Sequence, residues 1–146
     1  KILNTTPKTG MAILLDIGDE NDIHSRNKQD VGKRLALLAL KRDYGYDLVD
    51  CGPLYSKHEV KNIYVEVEFD DIGSGLFAKE NLEGFEIAGV DGVFYPAIAR
   101  IINNKVHLYS ERVKKPIDVR YGWKNYFEST LFNIEGLPAS SFNTSD

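Results

Sequence analysis

The chain has 146 residues, a formal net charge of −4, and the 42% hydrophobic and 27% charged content of an ordinary globular domain. Lysine and arginine are scattered and form no basic stripe, which excludes the usual kind of nucleic-acid-binding surface. No run of about 20 apolar residues is present, so the sequence predicts no transmembrane helix. The polar opening at 1–10 predicts no signal peptide, and the absent initiator methionine indicates a processed or excised piece.

Residues 11–45 are predicted to form a strand, a loop and a helix. The apolar run at 11–15 is typical of a strand covered on both faces, as in a parallel sheet. The helix begins after Asn27, which can cap it together with Asp30, and it ends before Gly45. Apolar residues at helical spacing predict one buried stripe, made of Val31, Leu35 and Leu38 and widened by Leu37 and Leu40. One strand and one helix cannot bury their own apolar faces, so the following region or a missing partner must cover them.

From about residue 47 onward the pattern is that of β-strands. Apolar and polar residues alternate at 63–69, which predicts a half-buried antiparallel strand. The Asp-Gly pair at 91–92 and the Asn-Asn pair at 103–104 predict hairpin turns. About seven short strands in all are typical of a β-sandwich. The polar tail after Trp123 is predicted to lie on the surface as an extension.

The polar loop before the helix contains His24, two residues after Asp22. Imidazole is the usual general base near neutral pH, and it needs a carboxylate or carbonyl to fix its tautomer. In an extended backbone residues i and i+2 point to the same face, so Asp22 is the candidate to orient His24. Active sites of open α/β sheets gather in such loops after parallel strands. The simpler alternative is an exposed histidine without a catalytic role.

The same loop carries an acidic run that invites a calcium interpretation: Asp16, Asp19, Glu20 and Asp22. The spacing fails the EF-hand pattern, because Gly18 stands where an oxygen ligand belongs and no bidentate glutamate follows. His58 and His107 lie in β regions without ligand-spaced partners and are interpreted as surface residues. The sequence therefore predicts no metal site.

Two residues qualify formally as nucleophiles. Cys51 is the single cysteine, and its apolar context favours a small buried residue over a reactive thiol. Ser74 lies in a Gly-Ser-Gly element that superficially resembles a nucleophile elbow, but a β pattern follows it where that motif needs a helix. We interpret this element as a tight connection between strands.

Taken together, these residues resemble the last sequence block of the sialate O-acetylesterase family, within the SGNH hydrolases. The resemblance begins at 14–24 and continues past the helix. The matching segments are 27–29, 31–36, 52–55, 73–76, 85–89, 119–123 and 136–140.

The resemblance implies a mixed fold. Residues 1–46 would be the C-terminal strand, histidine loop and helix of a flavodoxin-like SGNH domain, and 47–146 an antiparallel β-sandwich module. The activity would be hydrolysis of O-acetyl esters on sialic acid or a related sugar, with His24 as the catalytic histidine and no metal or organic cofactor. The family's location would be periplasmic, secreted or lysosomal. Many SGNH enzymes carry aspartate three residues before the histidine, where this chain has Asn21, so Asp22, another acid or a carbonyl remains to orient His24.

The family's nucleophilic serine block lies far upstream, and 1–10 does not match it. We therefore expect a missing N-terminal part of the same enzyme to supply the serine, and the isolated chain to be inactive. The alternative is a non-catalytic β-module that binds carbohydrate or serves in packing, with Tyr121, Trp123 and Tyr126 as stacking candidates. Against that alternative, 119–123 is interpreted as a core strand whose Trp123 closes the sandwich. No nucleic acid or membrane partner is expected.

Overall fold

The structure, a computed structural model, describes residues 2–24 and 26–145. That part contains two helices and ten strands and is of mixed class, with mostly antiparallel sheets. The helices are α1 (Ile2–Thr5) and α2 (Lys28–Arg42). The strands are β1 (Leu54–Lys61), β2 (Tyr64–Asp70), β3 (Leu76–Ala78), β4 (Phe85–Ala88), β5 (Phe94–Pro96), β6 (Ile98–Ile102), β7 (Lys105–Tyr109), β8 (Asp118–Tyr121), β9 (Leu131–Asn133) and β10 (Phe142–Asn143). No helix in the described residues is long and apolar enough to cross a membrane.

The strands form two four-stranded sheets and a two-stranded ribbon. The sheet orders are β1-β2-β7-β6 and β10-β8-β4-β5, and β3 pairs with β9. Every pairing is antiparallel. Alternate residues of the two larger sheets point into one apolar core, with Val65 and Val106 from one sheet and Ile87 and Val119 from the other fully buried. The two four-stranded sheets thus pack face to face as the predicted β-sandwich.

Both predicted hairpin turns are confirmed. Asn103 and Asn104 have φ values of 50° and 58° and join β6 directly to β7, as a two-residue type I′ turn requires. Gly92 has a φ of 68° and lies in the connection between β4 and β5. Residues that tolerate positive φ therefore stand where the chain reverses.

The prediction of a surface-lying tail after Trp123 is wrong. Leu131 and Ala139 are fully inaccessible, and Phe142 is 9% exposed. Phe142 stacks on Tyr55 with ring centroids 4.5 Å apart. The tail is polar overall, so its composition did not indicate the two very short strands β9 and β10. The few apolar residues of this tail complete the sandwich core.

The predicted strand at 11–15 is also not formed. A strand needs a neighbour for its backbone hydrogen bonds, and among residues 2–24 and 26–145 no strand pairs with this segment. Its carbonyls are bound otherwise, since Ile13 accepts a bond of 2.6 Å from Nη1 of Arg34. The carbonyl of Leu15 accepts one of 3.3 Å from the backbone N–H of Ser129.

Helix α2 begins and ends as predicted. The side chain of Asn27 accepts a hydrogen bond of 3.1 Å from the backbone N–H of Asp30 and donates one of 2.8 Å to its carboxylate. Gly45 has a φ of 74°, and the next N–H donates to the carbonyl of Leu40 at 3.0 Å. The predicted apolar stripe is only partly covered, because Leu38 is 6% exposed but Leu35 is 54% exposed.

Candidate functional site

His24 lies with an exposed side chain in the loop that precedes α2. Its backbone N–H donates a hydrogen bond of 2.8 Å to Oδ1 of Asp22. The expected extended backbone is therefore replaced by a turn that the aspartate side chain closes. The structure brings the two residues together through the His24 backbone, and no hydrogen bond within the described residues reaches its imidazole. Orientation of the ring by Asp22 stays a prediction.

A buried ion pair joins the start of this loop to α2. Nη1 and Nη2 of Arg34 donate to the two carboxylate oxygens of Asp16 at 2.7 and 2.6 Å. The Arg34 side chain is 9% exposed and that of Asp16 is 15% exposed. Such a bidentate pair constrains orientation as well as distance, so it positions the loop relative to the helix that follows His24.

The acidic run forms no cation cage in the described residues. Asp16 is bound by Arg34, while Oδ1 of Asp19 accepts the backbone N–H of Asn21 at 2.9 Å. No group of three or more histidine, cysteine, aspartate or glutamate side chains in residues 2–24 and 26–145 has the geometry of a metal site. The carboxylates act here as turn caps and as an arginine ligand.

A groove of about 790 Å³ opens beside the histidine loop. One wall is residues 19–23 of the loop, and the other is residues 124–126, just after β8 in the sandwich. Loop and sandwich are in close contact here, since a Cβ added to Gly18 would lie 3.7 Å from Cε2 of Tyr126. Sequence reasoning missed this groove, because nothing in the spacing links positions about 100 residues apart.

The aromatic residues around β8 divide into buried and exposed ones. Tyr121 is fully inaccessible, so it is excluded as a sugar-stacking residue. Trp123 is 46% exposed and does not close the sandwich as predicted, because the chain turns at Gly122, whose φ is 58°. Tyr126 is 39% exposed and contributes to the groove.

Neither candidate nucleophile of the chain has the surroundings of an active one. Oγ of Ser74 donates a hydrogen bond of 2.5 Å to Glu135, and no histidine of the described residues bonds to it. That bond lowers the pKa of the Glu135 carboxyl. Glu135 is therefore a carboxylate that accepts the hydrogen bond, and the lowered pKa makes it a weaker base toward the serine. Cys51 is 6% exposed, and burial raises the pKa of its thiol to about 12. The thiol is therefore neutral and inaccessible at physiological pH.

The two other histidines lie in half-buried surface positions with structural partners. Nδ1 of His58 lies 2.8 Å from the Tyr55 hydroxyl, and its Nε2 lies 3.0 Å from the carbonyl oxygen of Ile117. Nε2 of His107 lies 3.3 Å from Glu66. Both imidazoles therefore have structural partners: His58 links β1 to the connection before β8, and His107 lies beside Glu66 of the neighbouring strand.

Comparison with known proteins finds a relative among carbohydrate esterases. No protein-family model and no curated protein sequence matches the chain. A solved structure does match, with a TM-score of 0.84 and 41% sequence identity over 88% of this chain. That structure is a carbohydrate acetylesterase from Xanthomonas citri, and the chain covers 31% of it. The chain is therefore related in sequence and fold to one part of a carbohydrate esterase.

Proposed function

We propose that the chain is a C-terminal part of a carbohydrate O-acetylesterase, in which His24 is the general base. The observation that carries the proposal is the 41% identity to part of a carbohydrate acetylesterase, over 88% of this chain. Because the chain spans less than a third of that relative, we assign the rest of the active site to a part of the enzyme outside these residues. Residues 1–46 would complete its SGNH domain, and 47–146 would be the β-sandwich module.

A partner of this kind would cover exposed apolar side chains of 1–46. Several large apolar side chains of this region are exposed, among them Leu35 at 54%, Tyr44 at 74% and Ile23 at 94%. Single exposed apolar side chains are ordinary on a protein surface, and 47–146 carries comparable ones such as Val90 at 86%, so these side chains do not by themselves mark an interface. We propose that the missing N-terminal part covers them and brings the nucleophilic serine to His24.

The mechanism follows from the role assigned to His24. The serine Oγ of the missing part attacks the acetyl carbonyl carbon while the His24 imidazole accepts the hydroxyl proton. When the carbon–oxygen bond to the sugar breaks, the imidazolium returns that proton to the leaving sugar oxygen. Water then attacks the acetyl-enzyme with His24 again as base, and acetate leaves with the serine regenerated. Asp22, whose carboxylate already touches the His24 backbone, is the proposed orienting acid.

The family resemblance points more narrowly to 9-O-acetyl sialate as the substrate. The groove beside Asp22 carries three carboxylates, from Asp19, Glu20 and Asp22, and one lysine, Lys124. This charge balance disfavours a sugar that carries its own carboxylate. We therefore propose carbohydrate O-acetyl esters as the substrate class and treat sialate as one member to be assayed.

The proposal is tested with a chromogenic acetate ester and with an acetylated sugar. The isolated chain should give no turnover while its circular dichroism and thermal unfolding show a folded state. Turnover by the folded chain that disappears in His24→Ala would contradict the missing serine. In the complete enzyme, His24→Ala should lower kcat by about 10³–10⁶, as in other dissected triads. A His107→Ala variant serves as the histidine control and should retain activity.

A second candidate function is carbohydrate binding by the sandwich without catalysis. The observation that favours it is the exposure of Trp123 and Tyr126, which are 46% and 39% exposed. Titration of the chain with an acetylated sugar, with and without Trp123→Ala, tests it. Binding that depends on Trp123 in a complete enzyme insensitive to His24→Ala would favour the binding module over the esterase.

A further inference from the structure

The groove beside the histidine loop is built by both regions of the chain. Its first wall, residues 19–23, belongs to the loop that contains His24, and its second wall, residues 124–126, belongs to the sandwich. It is an open groove and not an enclosed cavity, and its volume of about 790 Å³ is comparable to the roughly 300–1,000 Å³ of ligand pockets. A site that had only to hold an acetyl group would not need the second wall.

The residue that follows the second wall packs on the sandwich core. Phe127, the next residue, packs edge-on against the buried Tyr121 with ring centroids 5.2 Å apart. Backbone crowds it on two further sides, since a Cβ on Gly84 would lie 2.2 Å from its ring and one on Gly122 2.9 Å. Glycine is therefore required at both positions to admit the ring. The chain is thus anchored immediately after the second wall.

The groups on the two walls suit a polyhydroxylated ring. Asp19 and Glu20 present carboxylate acceptors, while Lys124 and Asn125 present ammonium and amide donors. No ion pair of the described residues involves Lys124, whose side chain is exposed. Tyr126 adds an aromatic face for the apolar face of a sugar ring. The mixture of donors, acceptors and one aromatic ring matches a sugar better than an apolar ligand.

We infer that residues 124–126 of the sandwich bind the sugar of the acetyl ester, so that the module is a specificity-determining wall of the esterase site. The inference rests on the proposed function, because the loop wall becomes part of an active site only if His24 is the base. In this arrangement Lys124 and Asn125 hydrogen-bond sugar hydroxyls, and Tyr126 packs on the ring. None of the three takes part in the proton transfers.

The test uses the complete enzyme and two substrates, partially acetylated cellobiose and 4-nitrophenyl acetate. Lys124→Ala and Tyr126→Ala should each lower kcat/KM for the sugar ester at least about tenfold, mainly through KM, as for one lost charge-assisted bond or ring contact. With the small ester, which has no sugar, kcat/KM should stay within about twofold of wild type. Lys114→Ala and Tyr109→Ala, which lie outside the groove, are the matched controls.

The possible outcomes separate this inference from the proposed function. Equal losses on both substrates, or no loss on either, would overturn the sugar-binding wall. If those variants behave as expected in binding but His24→Ala leaves activity intact, the proposed role of His24 as general base fails instead. A Tm measurement identifies any variant that fails to fold. In that case Asn125→Ala, at an exposed position, takes its place and should lower kcat/KM for the sugar ester but not for the small ester. Titration of the inactive His24→Ala enzyme with the acetylated cellobiose should show a Kd raised about tenfold by Lys124→Ala.

Discussion

Arg34 binds both carboxylate oxygens of Asp16 and, through Nη1, the carbonyl oxygen of Ile13 at 2.6 Å. The arginine thus replaces one of the hydrogen bonds that a neighbouring strand would have supplied to this segment. Because the loop of His24 begins immediately after Asp16, the pair sets where that loop starts relative to α2. Its buried position makes it a sensitive point for both stability and site geometry.

Substitution of Arg34 by alanine should destabilise the chain strongly. Removal of one partner leaves the Asp16 carboxylate buried without its guanidinium, which costs about 3–5 kcal/mol in comparable pairs. The free energy of unfolding, measured by urea denaturation, gives the loss. The control is Lys33→Ala on the same helix, where an exposed pair with Asp30 is broken at a cost of about 0–1 kcal/mol. Equal costs for the two variants would contradict the importance of the buried pair.

The Tyr121 hydroxyl should contribute measurably to stability. It lies 3.0 Å from Oγ of Ser129 and accepts hydrogen bonds from the backbone N–H groups of Thr130 and Leu131 at 3.1 and 3.0 Å. Tyr121→Phe leaves both N–H groups without this acceptor, at a cost of about 2–4 kcal/mol for two such groups. Thermal unfolding monitored by circular dichroism measures the change.

The conservative control for that variant is Tyr109→Phe, because the Tyr109 side chain is 36% exposed. Its hydroxyl deletion should alter stability by less than about 0.5 kcal/mol. If Tyr121→Phe costs no more than the control, the hydroxyl does not anchor β9.

Asp50 should make stability fall at acid pH. Burial acts to raise the pKa of this carboxyl, but hydrogen bonds from Arg42 and Lys41 outweigh it and hold the pKa below its ordinary value. The folded state therefore binds the proton less readily than the unfolded state, whose pKa is about 3.9. The stabilising contribution is present above that value and is lost as the pH falls through the lower pKa of the folded state.

The prediction is checked by urea denaturation of wild type and Asp50→Asn between pH 7 and pH 2. The difference in unfolding free energy should be about 1–2 kcal/mol at neutral pH, since both cationic partners are more than a third exposed. It should shrink below about pH 4. Asp47→Asn, at an exposed position, is the control. A difference that is independent of pH would contradict the role of the ionised carboxylate.

Cys51 should resist alkylation in the folded chain. Burial raises the pKa of its thiol from 9.0 to about 12, which lowers the thiolate fraction at neutral pH about a thousandfold. Because Cys51 is the single cysteine, labelling by iodoacetamide with and without urea reports it unambiguously by mass spectrometry. Labelling in native buffer should be slower than in urea by two orders of magnitude or more, about 10²–10³. Similar rates would show that the thiol is accessible in the folded protein.

Local chemistry made several elements predictable from sequence. Asn27 with Asp30 and Gly45 marked the two ends of α2, since capping and positive φ depend on the residue itself. The turn at 103–104 followed for the same reason. Strand β1, by contrast, was not predicted, because its charged residues Lys57, Glu59 and Lys61 show no apolar alternation.

For the candidate site, sequence alone determined the residue types and their order: a histidine after an aspartate in a polar loop before a capped helix. The sequence also determined that α2 has an apolar face, which another part of the protein must bury. Such properties depend on neighbours within a few positions, where backbone geometry restricts the possibilities.

Tertiary structure alone decided which distant residues meet. It paired Asp16 of the acidic run with Arg34 of α2, and it set 124–126 opposite the histidine loop. These relationships depend on how the helix, the loop and the sandwich pack, which no local spacing encodes. The physical reason is that long-range contacts arise from burial of apolar surface shared by the whole chain, whereas turns and caps arise from single residues.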